Sequence, residues 1–376
     1  MEKAEAGKDQ STMRDGDHPL PNIDVDTIRA DAVAMLSASG EPGDGDADSF
    51  ASLFKIQTAD KWIADSQTRP APKMLCGEFW FEGEICILFA DTNVGKSILA
   101  VQIADSISKG GSIDGLRLET GPQKVIYFDF ELSDKQFEAR YSDKQPGSEF
   151  YSNPYRFNAN LLRAEIDTEA DIDHGFADFE AYLNASLQSA ITSHGAKILI
   201  IDNLTYLKNE TERAKDALPL MKYLKALKSK YGLSILALAH TPKRDYSKAI
   251  TRNDLQGSKM LINFCDSCFA IGESCKDSGL RYLKQIKVRN AEMKYDSENV
   301  YLCQITKPGN FLHFEFKGYG SEREHLKDLS DGDRETLITK AKALSADGKS
   351  QREIADILGV SAMTINRYLK KSDGEV

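Results

Sequence analysis

No run in this 376-residue chain approaches the ~18 to 20 consecutive apolar residues of a bilayer span, and no apolar signal segment follows Met1. A soluble, cytoplasmic protein with no membrane partner is the expectation. Basic residues are in the minority. The 48 Lys and Arg stand against 58 Asp and Glu, and a net charge of -10 excludes a chain that coats nucleic acid by bulk electrostatics. The deficit is local, because residues 1–70 hold 14 acids and 7 bases and leave the rest near neutral. A basic patch beyond residue 70 therefore stays open. Cysteine is scarce too, with six residues that mostly sit in apolar runs, where a thiol acts as a small hydrophobe. Cys265-Asp-Ser-Cys268 has the spacing of a ligand pair, yet no second pair and no nearby His accompany it. Packing is expected there rather than zinc or redox chemistry.

What the chain does contain is 41% apolar residues, with 17 Phe and 14 Tyr, enough for a sizeable core. Residues 1–50 are the exception: a disordered acidic tail is expected where Gly, Pro and Asp surround a single short apolar patch. An amphipathic segment and a linker fill 51–73. Runs at 85–90, 124–130, 197–202 and 234–239 are short, Ile- and Leu-rich and nearly free of charge, as parallel strands covered on both faces are. Helical patterns at 96–109, 134–141, 175–193 and 214–231 lie between them. Strand-like runs at 269–272, 280–288, 300–306 and 312–316 close the region. One α/β domain with a mainly parallel sheet is expected over 74–320. A charged linker at 321–332 then leads to three short helices within 333–372.

The most informative stretch runs from a buried strand through Ala90-Asp91-Thr92-Asn93-Val94-Gly95-Lys96-Ser97-Ile98, the expected nucleotide-binding residues, into an apolar helix over 96–109. Triphosphate binding needs this order, because backbone N–H groups wrap the phosphates and a helix N-terminus faces the negative charge. Lys96 is placed to reach the β and γ phosphates and Ser97 to ligate Mg²⁺, so ATP and Mg²⁺ are the expected cofactors. Ala90 stands where such loops begin with Gly, which is tolerable only if that position takes no positive φ.

The rest of the site follows from strand ends. A phosphate loop needs an acidic residue at the end of an adjacent strand to hold the magnesium shell, and Ile198-Leu-Ile-Ile-Asp202 supplies one. Tyr127-Phe-Asp-Phe-Glu131 ends another strand with two carboxylates on one face. Glu131 is nearer the carboxyl edge, where ligands sit, and is the expected water-orienting residue. His240 ends a further strand at that edge, either as a structural histidine or as a sensor of the γ-phosphate. Lys287 and Arg289 project to one side of an extended run. They fit either a solvated strand end or a finger reaching a neighbouring subunit's nucleotide.

Together these elements resemble the RecA-fold ATPases, and in particular the RepA-type hexameric helicases of plasmids and related ATPases of mobile elements. The resemblance covers about residues 74–316 and rests on Ala90 to Ser97, Phe-Asp-Phe-Glu131, Ile-Ile-Asp202-Asn203, Ala-His240-Thr-Pro-Lys-Arg, Gln256-Gly-Ser258 and Lys287-x-Arg289. It implies a homo-oligomeric ring, commonly a hexamer, with Glu131 activating water, Asp202 holding magnesium, His240 sensing the γ-phosphate and Arg289 acting as arginine finger. Two loops, near 208–215 and 243–257, would then face the ring channel. The second carries Lys243, Arg244, Lys248 and Arg252 with Tyr246 among them, a set suited to single-stranded DNA. The same charges also suit a solvated loop of a motor that acts on protein.

Residues 351–371 fit a helix-turn-helix like those of resolvases and transcription regulators. Val360, Ile365 and Leu369 would pin the second helix, and Ser361, Thr364, Arg367, Lys370 and Lys371 would face a DNA groove. Residues 331–376 balance 8 acids with 8 bases, so a docking or oligomerisation module is the competing reading. The functional expectation is an ATP-driven motor on DNA, serving replication or mobilisation of a plasmid or integrated element. Its rivals are a loader or recombination mediator that does not unwind DNA, and a DNA-binding regulator switched by ATP.

Overall fold

The computed structural model of the chain describes residues 54–167, 175–176, 179–204, 217–242, 244–255, 258–328, 331–358 and 360–370. The expected acidic tail, the channel loop near 208–215, Lys243, Gln256, Gly257 and Lys371 lie outside the described residues. The described residues divide between Arg69 and Pro70 into two units. In the first, helix α1 (Ala59–Gln67) is capped by the Thr58 side chain, which accepts from Lys61 N–H, and it buries no residue.

The second unit is built on a nine-stranded sheet. Its strands, in chain order, are β3 (Ile85–Ala90), β4 (Val125–Asp129), β7 (Leu161–Ala164), β8 (Ile198–Asp202), β9 (Ser234–His240), β10 (Ser267–Glu273), β11 (Leu280–Lys287), β12 (Val300–Thr306) and β13 (His313–Gly320). Two short hairpins, β1 (Met74–Cys76) with β2 (Trp80–Phe81) and β5 (Asp143–Lys144) with β6 (Tyr151–Ser152), stand apart from it. The spatial order is β13-β12-β11-β10-β3-β9-β8-β4-β7. From β10 to β7 every pair is parallel, and β10 to β13 form an antiparallel meander. The fold is therefore α/β with a mainly parallel, RecA-like core.

Period-two alternation splits the strands between two apolar layers. Cys86, Leu88, Ile198, Ile200, Leu236 and Leu238 pack on the side of helix α2 (Lys96–Lys109). Ile85, Ile87, Leu199, Ile201, Ile235 and Ala237 pack against helices α4 (Phe179–His194) and α5 (Ala217–Tyr231). Helix α3 (Asp134–Arg140) starts with a Ser133–Gln136 capping box, and helix α6 (Ser258–Phe264) precedes β10. Continued by two residues, the first set of strand positions reaches Ala90, Asp202 and His240. The ends of three strands, two of them polar, thus emerge on the face that α2 covers.

Two expectations need correction. The strand ending in Asp202 is not the neighbour of β3, because β9 lies between β3 and β8. Strand order depends on pairings distant in sequence, and no local pattern encodes it. The stretch 321–332 is not simply a charged linker. A 3-10 turn (Glu322–His325) buries both Glu322 and His325. Glu322 accepts from Lys284 Nζ at 2.5 Å, from Ile250 N–H at 2.7 Å and from the Tyr282 and Ser297 hydroxyls at 3.2 and 3.1 Å. A carboxylate so fully matched is tolerated in the interior, and this one ties the loop after β9 to β11.

The C-terminal helices are α7 (Asp331–Ala346), α8 (Gln351–Leu358) and α9 (Ala362–Lys370). They enclose a small core of Ala341, Ile354, Ala355, Leu358, Ile365 and Tyr368, with Val360 and Leu369 packed against it. Among the described residues no helix is long and apolar enough to cross a membrane.

Candidate nucleotide site

Ala90 is the last residue of β3 and has no positive φ, so the missing first glycine costs this loop nothing. The left-handed positions are Asn93 (φ 64°) and Gly95 (φ 109°). Gly95 is required on two counts: its φ, and the Ile305 and Phe314 side chains, which would lie 2.7 and 2.8 Å from an added Cβ. Val94 and Ile98 point into the core, whereas Thr92 and Asn93 are exposed at the crest. The first N–H groups of α2 have no partners inside their helix and face whatever the loop encloses.

Strand register then assembles the polar groups. Ala90 pairs with His240 across β3 and β9, so phosphate loop and histidine begin at one level. Asp129 pairs with Asp202, which lies two residues deeper than His240 in the β8–β9 register. Two residues past Asp129, Glu131 therefore rises to the height of His240. Lys96 Nζ donates to the carbonyls of Ala90 and Asp91, both at 3.2 Å, and lies 3.1 Å from His240 Nδ1. An ammonium has no lone pair, so Nδ1 accepts and the ring hydrogen resides on Nε2. Nε2 then donates to Glu131 Oε1 at 3.2 Å, and Asn203 Nδ2 donates to the same oxygen at 2.8 Å. Lys96, His240, Glu131 and Asn203 form one continuous chain.

Electrostatics follow the same connections. The hydrogen bond from His240, with help from Asn203 and the charge of Lys96, overcomes partial burial and holds the Glu131 carboxyl at about 2. Burial lowers the Lys96 pKa against the pull of Asp202, Glu131 and Asp91. Asp202 is fully buried, and this desolvation raises its pKa to about 6 despite the opposing hydrogen bonds of Ser97 and Tyr127. Tyr127 donates to Asp202 Oδ2 at 2.7 Å, while Oδ1 is left with no well-formed hydrogen bond. A buried carboxylate oxygen in that condition, beside the Ser97 hydroxyl, suits a hard divalent cation and its waters.

Asp129 shares its strand with the approach to Glu131 but is already used. Its oxygens accept from the N–H groups of Glu131 and Leu132 and from Arg163 Nε at 2.9 Å. That leaves Glu131 as the carboxylate open to the loop. Several contributors have no sequence motif. Arg281 Nε donates to the Val94 carbonyl at 2.9 Å, and the Tyr246 hydroxyl donates to Asp91 Oδ2 at 2.5 Å. Asn203 was visible as the neighbour of Asp202, and its amide could have been suspected for that reason.

Lys287 and Arg289 are elsewhere. Strand β11 runs antiparallel to β10, so Arg281 falls at the phosphate edge, and Lys287, opposite Cys268, falls at the other. Lys287 Nζ donates to the Ile262 and Cys265 carbonyls at the end of α6. Arg289 pairs with Asp266 at 3.3 Å and is about half exposed. Neither reaches the phosphate loop of its own chain.

The expected basic loop after β9 is more closely held than its composition suggests. Arg244 donates to the Lys248 carbonyl at 2.9 Å and stacks on Tyr246, whose hydroxyl is bound to Asp91. Arg244 and Tyr246 are thus drawn inward, because the loop is anchored at Ile250 by the buried Lys284–Glu322 pair. Arg252 is exposed and Lys248 partly so. Ser361, Thr364 and Arg367 line one cleft with Lys248, and Lys370 closes α9.

A mainly parallel sheet, a phosphate loop at the end of one strand and acidic residues at the ends of others define a RecA-like P-loop ATPase. A family model described as an AAA domain matches residues 51–245, just over half of the chain, and the chain belongs to that family. Among solved structures, a KaiC-like protein from the hyperthermophilic archaeon Pyrococcus horikoshii OT3 is similar to it. The similarity spans 62% of this chain and 91% of that one, at 12% identity and a TM-score of 0.42. No curated protein matches the chain in sequence.

Proposed function

We propose that the chain is an ATP-hydrolysing motor of the RepA type, acting on DNA in replication or mobilisation of a plasmid or integrated element. The observation that carries this reading is the Lys96–His240–Glu131–Asn203 chain, set one layer above the Asp202 Oδ1, which has no well-formed hydrogen bond. In it, Lys96 holds the terminal phosphates. Glu131, ionised at neutral pH, accepts a hydrogen from the attacking water and fixes its direction. His240 touches both, so a change at the γ-phosphate that pulls on Lys96 is felt at Glu131. Ser97 and Asp202 would hold Mg²⁺, which when bound neutralises charge on the phosphate oxygens.

Arg289 and Lys287 lie at the edge remote from their own loop, and this placement supports a finger offered to a neighbouring subunit of a ring. The three C-terminal helices have the order of a helix-turn-helix, and the polar side of α9 supplies a DNA contact. Mixing variants tests the shared site. Glu131→Gln and Arg289→Ala proteins, each inactive alone, should regain ATP hydrolysis when combined, because some interfaces then join an intact Glu131 to an intact Arg289. Strand displacement on forked DNA should accompany hydrolysis. Hydrolysis without displacement would leave a loader, and a monomer that hydrolyses ATP unaided would end the ring scheme.

A further inference from the structure

The acids outnumber the bases over the whole chain, yet a cleft of about 700 Å³ between the ATPase core and α9 is lined with bases. One wall holds Lys248, Arg323 and Lys327. The other is Ser361 and the polar face of α9, with Thr364 and Arg367. Arg323, Lys327 and Arg367 are exposed, and among the described residues their side chains make no ion pair. The acid in the lining, Asp328, is paired with Lys276 at 2.6 Å. Asp245 at the margin lies 4.0 Å from Lys248 and leaves the other three bases unmatched. Unpaired like charges facing one another across a gap repel, and a polyanion between them relieves that repulsion.

We infer that this cleft binds a single strand of DNA through its phosphates, with Arg323 and Lys327, neither yet assigned a role, opposite Arg367. The inference rests on the DNA-motor reading and makes it more specific, because it replaces two separate DNA contacts by one. Size selects the strand over the duplex. A volume of this order encloses a small ligand or a few linked groups. Reading a duplex requires a helix face free to enter a major groove about 12 Å wide, whereas here that face of α9 looks onto the core. The one aromatic in the lining, Tyr368, is buried, so recognition is by backbone charge and tolerant of sequence.

Fluorescence anisotropy of the full chain with labelled oligothymidylate, titrated over a range of salt, tests the assignment. Arg323→Ala/Lys327→Ala and Arg367→Ala should each weaken binding. The three changes together should weaken it about tenfold and flatten the plot of log affinity against log salt by about 2. Unchanged thermal midpoints would show that the variants fold. An unaltered salt slope in the triple variant, while the parent binds the strand and hydrolyses ATP, would overturn the cleft and leave the motor reading intact. Tighter binding of duplex or of oligouridylate would overturn the commitment to single-stranded DNA. Failure of the parent to bind any strand would bring down both readings.

Discussion

The two edges of the parallel sheet use their polar groups differently. At the edge remote from the phosphate loop both oxygens of Glu84 and both of Asp266 have donors. Glu84 accepts from Asn290, Phe81 N–H and Ser267. Asp266 accepts from Ile85 N–H, Lys228 and Arg289. At the phosphate edge Asp202 keeps one buried oxygen without a well-formed partner, and Lys96 rests on backbone carbonyls that a phosphate would outbid. A matched network holds structure together. An incomplete one is kept at a cost in stability, and such costs collect where a ligand is to be bound.

The largest test of this contrast is Glu131→Gln. It preserves the shape of the site and the hydrogen bond from Asn203 but removes the ionised acceptor. Steady-state phosphate release should fall by about 10² to 10⁴-fold, while a fluorescent nucleotide analogue still binds. A loss of binding equal to the loss of turnover would show that the residue is part of the scaffold.

Stability against pH separates the edges by sign. Burial pushes Asp266 up, but the Ile85 N–H and Lys228 more than compensate and hold it below the usual range. Its contribution is therefore present above the unfolded-state pKa and is lost as acid protonates it. Asp202 is the reverse. With its folded-state pKa near 6, the stabilising protonated form is lost as pH rises through 6. Removing the Asp266 carboxylate by Asp266→Ala orphans buried donors and should cost about 1 to 3 kcal/mol at pH 7. Asp202→Asn should leave the nucleotide-free protein as stable or more so at pH 8, an advantage that vanishes near pH 4. It should also abolish magnesium-dependent hydrolysis. Urea titrations at the two pH values read both. Matching losses from the two substitutions at pH 8 would erase the proposed difference between the edges.

Gly95→Ala tests the phosphate edge through packing, since its Cβ would press on Ile305 of β12 and Phe314 of β13 in a backbone conformation unfavourable to alanine. A strain of about 1 to 3 kcal/mol is expected, seen as a lower thermal midpoint together with weaker nucleotide binding. A normal midpoint would mean that the meander shifts to make room.

How much of this was legible in the sequence depended on whether the chemistry was contiguous. The run from Ala90 to Ser97, Asp202 and Glu131 could be placed because each sits at the end of a mainly apolar run whose period fixes its face. The interposition of β9 could not be seen, because strand order is decided by pairing between distant segments. Arg281 was invisible for another reason: it serves the loop through a backbone carbonyl, and carbonyls leave no residue signature. Glu322 was misread because a charged residue in a charged stretch is usually solvated. Its partner Lys284 lies in a strand 38 residues away. Tyr246 looked like a stacking platform from composition, and the structure gives its hydroxyl to Asp91 instead.

That last contact yields the smallest and most diagnostic effect. Tyr246 links three places: its carbonyl accepts from Lys327 N–H at the cleft, its ring carries Arg244, and its hydroxyl binds the first carboxylate of the phosphate loop. Tyr246→Phe removes the hydroxyl alone and should cost about 0.5 to 1.5 kcal/mol in stability. Asp91 would then be held only by Thr92 N–H within the loop. If the loop after β9 carries strand binding to the phosphate edge, this variant should bind oligothymidylate normally while its ATP hydrolysis no longer responds to it. Retained stimulation would mean that the two ends of Tyr246 are neighbours in space without being coupled, and that the signal reaches the phosphate loop by another route, with His240 on β9 the next candidate.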